Sequence, residues 1–185
     1  MPEPSAPALS RRRLLQGLAA AACLGSALRA RAAQYAEIKW EALVPADWEP
    51  MDEFRDVQEL GELPDSDPRV QALYDRLRKV WDEAPVVESL DGRDVKIPSF
   101  VVPLESGDKG LREFLLVPYF GACIHIPPPP ANQIIHVRAD PPVKGFQTMS
   151  TVWVSGTLGL ARARSEMGTS GYSMKAARVE RYRKN

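Results

Sequence analysis

The sequence is poor in the residues that usually reveal chemistry. It contains two cysteines and two histidines in 185 residues, and its 24 basic residues balance its 24 acidic residues. It has no glycine-rich loop for nucleotide phosphates and no internal repeat. Its apolar runs are too short for a transmembrane helix. These absences give no support to a P-loop enzyme, a repeat architecture or a helical membrane protein.

The first 32 residues are typical of an export signal. They contain Ser-Arg-Arg-Arg-Leu-Leu-Gln at positions 10–16, an apolar, alanine-rich run over 14–28, and Ala30-Arg31-Ala32 before a cleavage point. We therefore predict a twin-arginine-type signal peptide over residues 1–32 and a mature protein in the periplasm. The run before Cys23 faintly resembles a lipoprotein box, so lipid anchoring at Cys23 is a second, less favoured prediction.

Removal of this segment changes the charge of the chain. It takes away five arginines and one glutamate, which leaves 19 basic and 23 acidic residues, a formal charge of −4, over 153 residues. A slightly acidic protein has no general attraction to nucleic acid phosphates, so no nucleic acid partner is expected. The length suits one domain. Only Cys123 remains, which excludes an internal disulfide.

The N-terminal part of the mature chain, residues 33–84, predicts three features. Alternating apolar residues over 33–46 favour a strand. The acidic stretch 46–64 is typical of a solvated surface. Ser66-Asp67-Pro68 predicts a helix start, apolar residues then recur at helical spacing, and Pro85 stops the helix.

Residues 85–185 read as β structure and form one domain with residues 33–84. Short apolar or alternating runs predict strands over 86–90, 95–102, 111–119, 133–139, 151–158 and 172–182. Asp91-Gly92 predicts a tight turn. The pattern indicates a mostly β fold with one clear helix. A small, closed or partly closed β barrel is favoured, with an open sandwich as the alternative.

The chemically specific stretch of the chain runs from 119 to 137. It holds both histidines, Cys123 and the four prolines 127–130. In an extended backbone, the side chains of Cys123 and His125 project to the same side. The prolines then fix φ and remove four backbone donors, so this segment continues neither a helix nor an internal strand.

Several stretches carry a family resemblance. They are Leu90-Asp91-Gly92; Ile97-Pro98-Ser99-Phe100-Val101-Val102-Pro103-Leu104; Pro118-Tyr119-Phe120-Gly121-Ala122-Cys123-Ile124-His125 with Pro127-Pro128-Pro129-Pro130 and Asn132-Gln133; and Val152-Trp153-Val154-Ser155-Gly156-Thr157. Together they resemble a family of exported bacterial proteins catalogued as a domain of unknown function. The resemblance implies an OB-like barrel outside the inner membrane. Some members lie beside zinc-uptake genes, which implies metal handling. It implies no catalytic residues.

Metal binding is the first functional hypothesis. A thiolate and an imidazole prefer zinc or copper(I), so Cys123 and His125 are candidate ligands and His136 a weaker third. Met149, Met174, Asp140 or a tyrosine would complete the site, and the sequence does not choose among them. A metal-uptake system or another envelope protein is the expected partner.

Two alternatives remain open. Cys123 with His125 or His136 could act as a nucleophile and base. Gly121-Ala122-Cys123-Ile124 slightly resembles the active strand of L,D-transpeptidases, but those enzymes need an upstream histidine and this chain has none. In the other alternative the Cys-His-Pro run is structural, and an exposed face makes a non-catalytic protein-interaction module.

Overall fold

The structure is a computed structural model. It describes residues 35–54, 63–64, 66–105, 110–122 and 128–183, which belong to one unit, Tyr35–Asn185, treated by itself. The predicted signal peptide, Cys23 and part of the acidic stretch lie outside the described residues. Within the described part, no helix is long and apolar enough to cross a membrane.

Six strands make up the sheet. They are β1 (Ala36–Glu37), β2 (Asp94–Pro103), β3 (Leu111–Val117), β4 (Ile135–Val143), β5 (Thr151–Ser165) and β6 (Gly168–Arg181). Their order is β1-β2-β3-β4-β6-β5, and β2 also pairs with β5. Strands β2, β3, β4, β6 and β5 therefore form a closed ring of hydrogen bonds. The β4–β6 pair is parallel, while the other four pairs of the ring are antiparallel.

The α-helix, α1, spans Pro68–Asp82 and confirms the helix prediction. The Asp67 carboxylate accepts a hydrogen bond from the Arg69 backbone N–H at 2.9 Å, and proline occupies the first turn, where its missing donor costs nothing. At the other end, the Arg162 guanidinium donates to the backbone carbonyls of Asp82 and Ala84, which satisfies acceptors that the helix leaves open. A mostly β fold with one α-helix is thus confirmed for the described residues.

The interior of the ring holds the main apolar core. Inward-facing side chains from every ring strand pack there, among them Ile97, Phe114, Ile135, Val137, Val154 and Tyr172, all fully buried. The Tyr172 hydroxyl donates to the Leu43 carbonyl and accepts from the Val87 N–H, both at 2.7 Å. These bonds tie β6 to two segments that precede the ring. Burial raises the pKa of Tyr172, and the bond from Val87 partly offsets that rise.

Two strand predictions are wrong. Among the described residues 35–46, only Ala36–Glu37 is a strand, and Trp40–Leu43 forms a 3-10 turn. Trp40 and Leu43 are both buried, and a 3-10 turn brings residues three apart to one side, whereas a strand would separate them. The predicted strand 86–90 instead contains a 3-10 turn at Glu88–Leu90. There the Leu90 N–H bonds the Val87 carbonyl rather than a neighbouring strand.

Proline 98 shows how β2 can pair on both sides. Strand β1 pairs with β2 at Val95 and Lys96, and β3 pairs with it from Phe100 onward. Pro98 lies between these two pairings, and its carbonyl accepts from the Trp40 indole N–H at 2.7 Å. In a strand, the N–H and the carbonyl of one residue point to the same side. The N–H that proline lacks would therefore have faced away from β5, so no hydrogen bond between β2 and β5 is lost.

Candidate functional site

Cys123 and His125, the two main candidate metal ligands, lie outside the described residues. The described chain stops at Ala122 and resumes at Pro128. Their predicted projection to one side therefore stays a prediction. Among the described residues, no three or more histidine, cysteine, aspartate and glutamate side chains are grouped to hold a metal ion.

The N-terminal flank of this segment belongs to a second apolar cluster, on the outer face of the ring, and the C-terminal flank lies near it. The buried members of the cluster are Val102, Leu115, Val117, Ala122 and Ile134, with Phe100, Leu104, Met149 and Met167 packed around them. On the N-terminal flank, the Gly121 N–H donates to the Met149 sulfur at 3.4 Å. On the other flank, Pro128 and Ile134 both lie beside Gly168. The residues on either side of the segment therefore lie at the same surface.

His136, the third candidate ligand, lies on this outer face. The predicted alternation is confirmed, because Ile135 and Val137 belong to the inner core while Ile134 belongs to the outer cluster. Leu115, another member of that cluster, is the cross-strand neighbour of His136. His136 therefore lies beside the apolar cluster rather than inside the ring.

A carboxylate orients the His136 ring. His136 Nε2 lies 3.5 Å from Glu113 Oε2, and the other Glu113 oxygen is 2.9 Å from Arg138 Nε. The His136 side chain is 16% exposed, so the pair is partly shielded from water. Glu113 and Arg138 are directly opposite each other on β3 and β4, which explains their contact.

The other suggested donors differ in location. Met174 is buried in the inner core of the ring, whereas His136 lies on the outer face. Asp140 is exposed and lies 3.4 Å from an Arg112 nitrogen. Met149 lies beside Gly121, two residues before Cys123, which makes it the best-placed thioether among these candidates.

The outer face also carries a groove that the sequence did not predict. Its volume is about 600 Å³, and it is lined by residues of β3–β6: Arg112, Glu113, His136, Arg138, Ala139, Asp140, Ala161, Ala163, Ser173, Met174 and Lys175. More than twenty residues separate β4 from β6 in the sequence, and their parallel pairing was not foreseen. The sequence signal for a polar outer face was the alternation within β4, where His136 and Arg138 alternate with Ile135 and Val137.

The two amides after the proline run have structural contacts. Asn132 is fully buried and donates to the Pro85 carbonyl at 3.0 Å. Gln133 donates to the Trp40 carbonyl at 3.1 Å. These bonds join the residues after the proline run to two earlier segments of the chain.

Comparison with known proteins gives a family without an assigned activity. No curated protein matches the chain significantly. A solved DUF3299 family protein from Pseudomonas aeruginosa PAO1 is 36% identical, with a TM-score of 0.61, and the match covers 82% of this chain and 98% of that one. A putative aspartyl-tRNA synthetase from Leishmania major Friedlin matches at 16% identity over 50% of this chain and 18% of its own, with a TM-score of 0.33. The family model for proteins of unknown function DUF3299 matches residues 40–181, so the chain belongs to the DUF3299 family.

Proposed function

We propose that this protein is exported to the periplasm and binds a soft transition metal, zinc or copper(I). Cys123 and His125 are the proposed main ligands, with His136 as a weaker third. The observation that carries the proposal is that the residues on both sides of the Cys-x-His segment, Ala122 and Pro128, lie in or near the outer cluster. His136 lies on the same face, two strand residues from Ile134, a separation of about 7 Å along the strand.

The chemistry of the neighbouring groups supports the metal hypothesis. Histidines that bind metals usually place their other ring nitrogen against a carboxylate or carbonyl. Glu113 has this position at His136 Nε2, which leaves Nδ1 as the nitrogen for a metal. The Met149 thioether is a soft donor beside the segment and favours copper(I) over zinc if it takes part.

The fold also supports a proposal about the architecture of the ring. We infer that the closed ring is a small OB-like barrel, because five strands close on themselves with one parallel pair, β4–β6. A rigid barrel would hold the ends of a short metal-binding segment in place. The role we propose is that of an accessory to a metal-uptake system or another envelope protein.

Metal content tests this proposal directly. Protein isolated from its native compartment is expected to carry zinc or copper close to one equivalent. Under reducing conditions, titration calorimetry should then show one saturable site in the metal-free protein. Cys123→Ser or His125→Ala should each weaken metal binding at least about tenfold. Even residues that only support a ligand typically change metal affinity by about 10–100-fold, and a ligand itself should matter more. His136→Ala should have a smaller effect.

The control variant is Met174→Leu, which changes a thioether on the inner face and should leave metal affinity unchanged. Folding of every variant is checked by circular dichroism. A wild-type protein that shows no saturable uptake of either metal would exclude the proposal. So would binding that survives the combined loss of Cys123 and His125.

A protein-interaction module is the second candidate, favoured by exposed aromatic residues beside the same segment. Phe120 is 73% exposed and Tyr119 is 55% exposed. The Phe120 ring meets Phe100 edge to face at 6.0 Å. Aromatic side chains exposed in this way are enriched in protein interfaces.

Site-specific crosslinking tests this candidate. A photoreactive residue at position 120 should give one defined crosslinked envelope protein in intact cells, while the same residue at exposed Glu88 should give none. Equal, diffuse crosslinking from both positions would contradict it.

A further inference from the structure

We propose that the groove between β4 and β6 binds a small organic oxyanion, a carboxylate or phosphate ester with a short apolar part. Arg138, Lys175 and Ser173 supply the binding groups. This site goes beyond the proposed metal function, because its binding groups are charged and hydroxyl side chains of β4 and β6.

The strand register places two cations side by side at the centre of the groove. Glu113, Arg138, Lys175 and Thr157 follow one another across β3, β4, β6 and β5. Like charges on neighbouring strands repel and destabilise a sheet. An anion bound between Arg138 and Lys175 would convert that repulsion into attraction.

The carboxylates near these cations already have partners. Glu113 contacts both Arg138 and His136, and Asp140 contacts Arg112. Asp94, at the far end of the row, accepts a hydrogen bond from the Thr157 hydroxyl at 2.7 Å. Among the ion pairs between described residues, none includes Lys175. Its ammonium group is therefore the cation of the row with unused capacity.

A second row adds donors of the right type. His136 and Ser173 are cross-strand neighbours on β4 and β6, one step along from Arg138 and Lys175. A Cβ placed on Gly159 would lie 2.9 Å from the Ser173 hydroxyl oxygen, so this glycine leaves the space beside the hydroxyl open. Guanidinium, ammonium and hydroxyl donors in one patch match the acceptors of a carboxylate or phosphate.

The shape of the groove gives the ligand its apolar part. One side carries the small residues Ala161 and Ala163. Register shifts near Arg112 on β3 and between Leu160 and Ala163 on β5 interrupt the regular pairing on both sides. Bulges of this kind re-aim side chains and often border binding sites. A volume of about 600 Å³ is in the range of small-molecule sites.

Titration followed by two-dimensional ¹⁵N NMR of the full chain tests the proposal. The probes are hexyl phosphate, hexanoate, inorganic phosphate and hexylamine, at low ionic strength with a chelator present. Hexyl phosphate or hexanoate should cause saturable shifts confined to β4, β6 and the facing part of β5. Which of the two binds more tightly identifies the oxyanion. Inorganic phosphate should bind at least about tenfold more weakly, and hexylamine should not bind.

Matched charge changes provide the control. Lys175→Glu should weaken binding at least about tenfold, and Arg138→Gln should weaken it less. Lys39→Glu makes the same charge change at an exposed lysine outside the groove and should leave affinity within about twofold. The NMR spectrum itself shows whether each variant is folded.

Three results would overturn the proposal: no saturable shift with either organic probe, shifts that map elsewhere, or equal losses from Lys175→Glu and Lys39→Glu. The last result would mean general charge attraction rather than a site. Cys123→Ser is expected to bind the oxyanion normally. Failure of the metal hypothesis and failure of this one are therefore separate outcomes.

Discussion

The two faces of β4 and β6 differ sharply although they share the same backbone. On the inner face, Ile135, Val137 and Tyr172 have no exposed surface. On the outer face, His136 and Arg138 line an open groove. A strand presents alternate residues to opposite sides, so one face can serve the fold while the other is free for binding. We therefore expect binding by this protein to involve the outer face of the ring rather than its interior.

The sharpest test of this contrast uses two adjacent residues of β3. Phe114→Ala removes a fully buried ring from the core and should destabilise the protein by about 3–5 kcal/mol. Glu113→Ala, on the outer face, should cost less than about 1 kcal/mol, because it removes only partly exposed ion pairs. Urea unfolding followed by tryptophan fluorescence measures both.

Equal losses from these two substitutions would contradict the division into a structural and a functional face. Leu115→Ala is informative beside them. Leu115 is outward but buried in the second cluster, so its loss should approach that of a core leucine, about 2–5 kcal/mol. The outer face is divided between an apolar part that includes Ala122 and a polar part that forms the groove.

Tyr172 tests the inner face through its one polar atom. Tyr172→Phe leaves the Val87 N–H and the Leu43 carbonyl without their partner and should cost about 2–3 kcal/mol. Since burial raises the pKa of Tyr172 in the folded state, the neutral form is favoured there. Its stabilising contribution is complete below the unfolded-state pKa of about 10 and is lost as pH rises through the folded-state pKa.

Unfolding measured at several pH values checks this sign. Above pH 10 the unfolded chain binds fewer protons than the folded one, so wild-type stability should fall by up to about 1.4 kcal/mol per pH unit from this residue. Tyr172→Phe should fall less steeply over that range. Parallel curves for the two proteins would show that Tyr172 ionises as easily in the folded state as in the unfolded one.

Two glycines of β5 allow the same substitution on each face. At Gly156 a new Cβ would lie 2.4 Å from the Lys175 carbonyl oxygen, and backbone does not yield easily. Gly156→Ala should therefore cost about 1–3 kcal/mol. At Gly159 the obstacle is the Ser173 hydroxyl, which can rotate, so Gly159→Ala should cost less than about 1 kcal/mol.

The ranking is measured by thermal or urea unfolding of both variants. Gly159→Ala should nevertheless weaken oxyanion binding, because the methyl group displaces the Ser173 hydroxyl. A Gly159→Ala variant that is the less stable of the two would contradict the assignment of faces.

Periodicity predicted much of the fold because it depends on local chemistry. The helix was predicted by Asp67, Pro68 and the apolar spacing that follows, and the alternation of β4 by Ile135 and Val137. The turns were harder, because the apolar residues over 33–46 alternate as in a strand, whereas the structure buries Trp40 and Leu43, which are three residues apart. The hydrogen-bond partner of the Leu43 carbonyl, Tyr172, lies more than a hundred residues away, and no local rule contains it.

The candidate site was only partly accessible to the same reasoning. His136 could be identified by residue type and its face by alternation, but its partner Glu113 comes from β3 through a strand pairing. The Arg138–Lys175 pair depends on the parallel pairing of β4 with β6, which are neighbours in the sheet although β5 lies between them in the sequence. Register between distant strands is set by the closing of the ring, so sequence spacing does not reveal which charges become neighbours.

The smallest expected effect concerns the repulsion between these two cations. Lys175→Glu replaces a like-charge pair with an opposite-charge pair on neighbouring strands, so it should stabilise the ligand-free protein by about 0.2–1 kcal/mol at low salt. The gain should disappear near 1 M salt, where exposed charges are screened within about 3 Å. Urea unfolding at both salt concentrations measures it, with Lys39→Glu as the matched control. A gain in stability together with a loss of oxyanion binding would mean that the outer face keeps a charge arrangement that weakens the fold. If Lys175→Glu destabilises the protein at low salt, the lysine has a structural role and the two faces are less distinct than the buried fractions indicate.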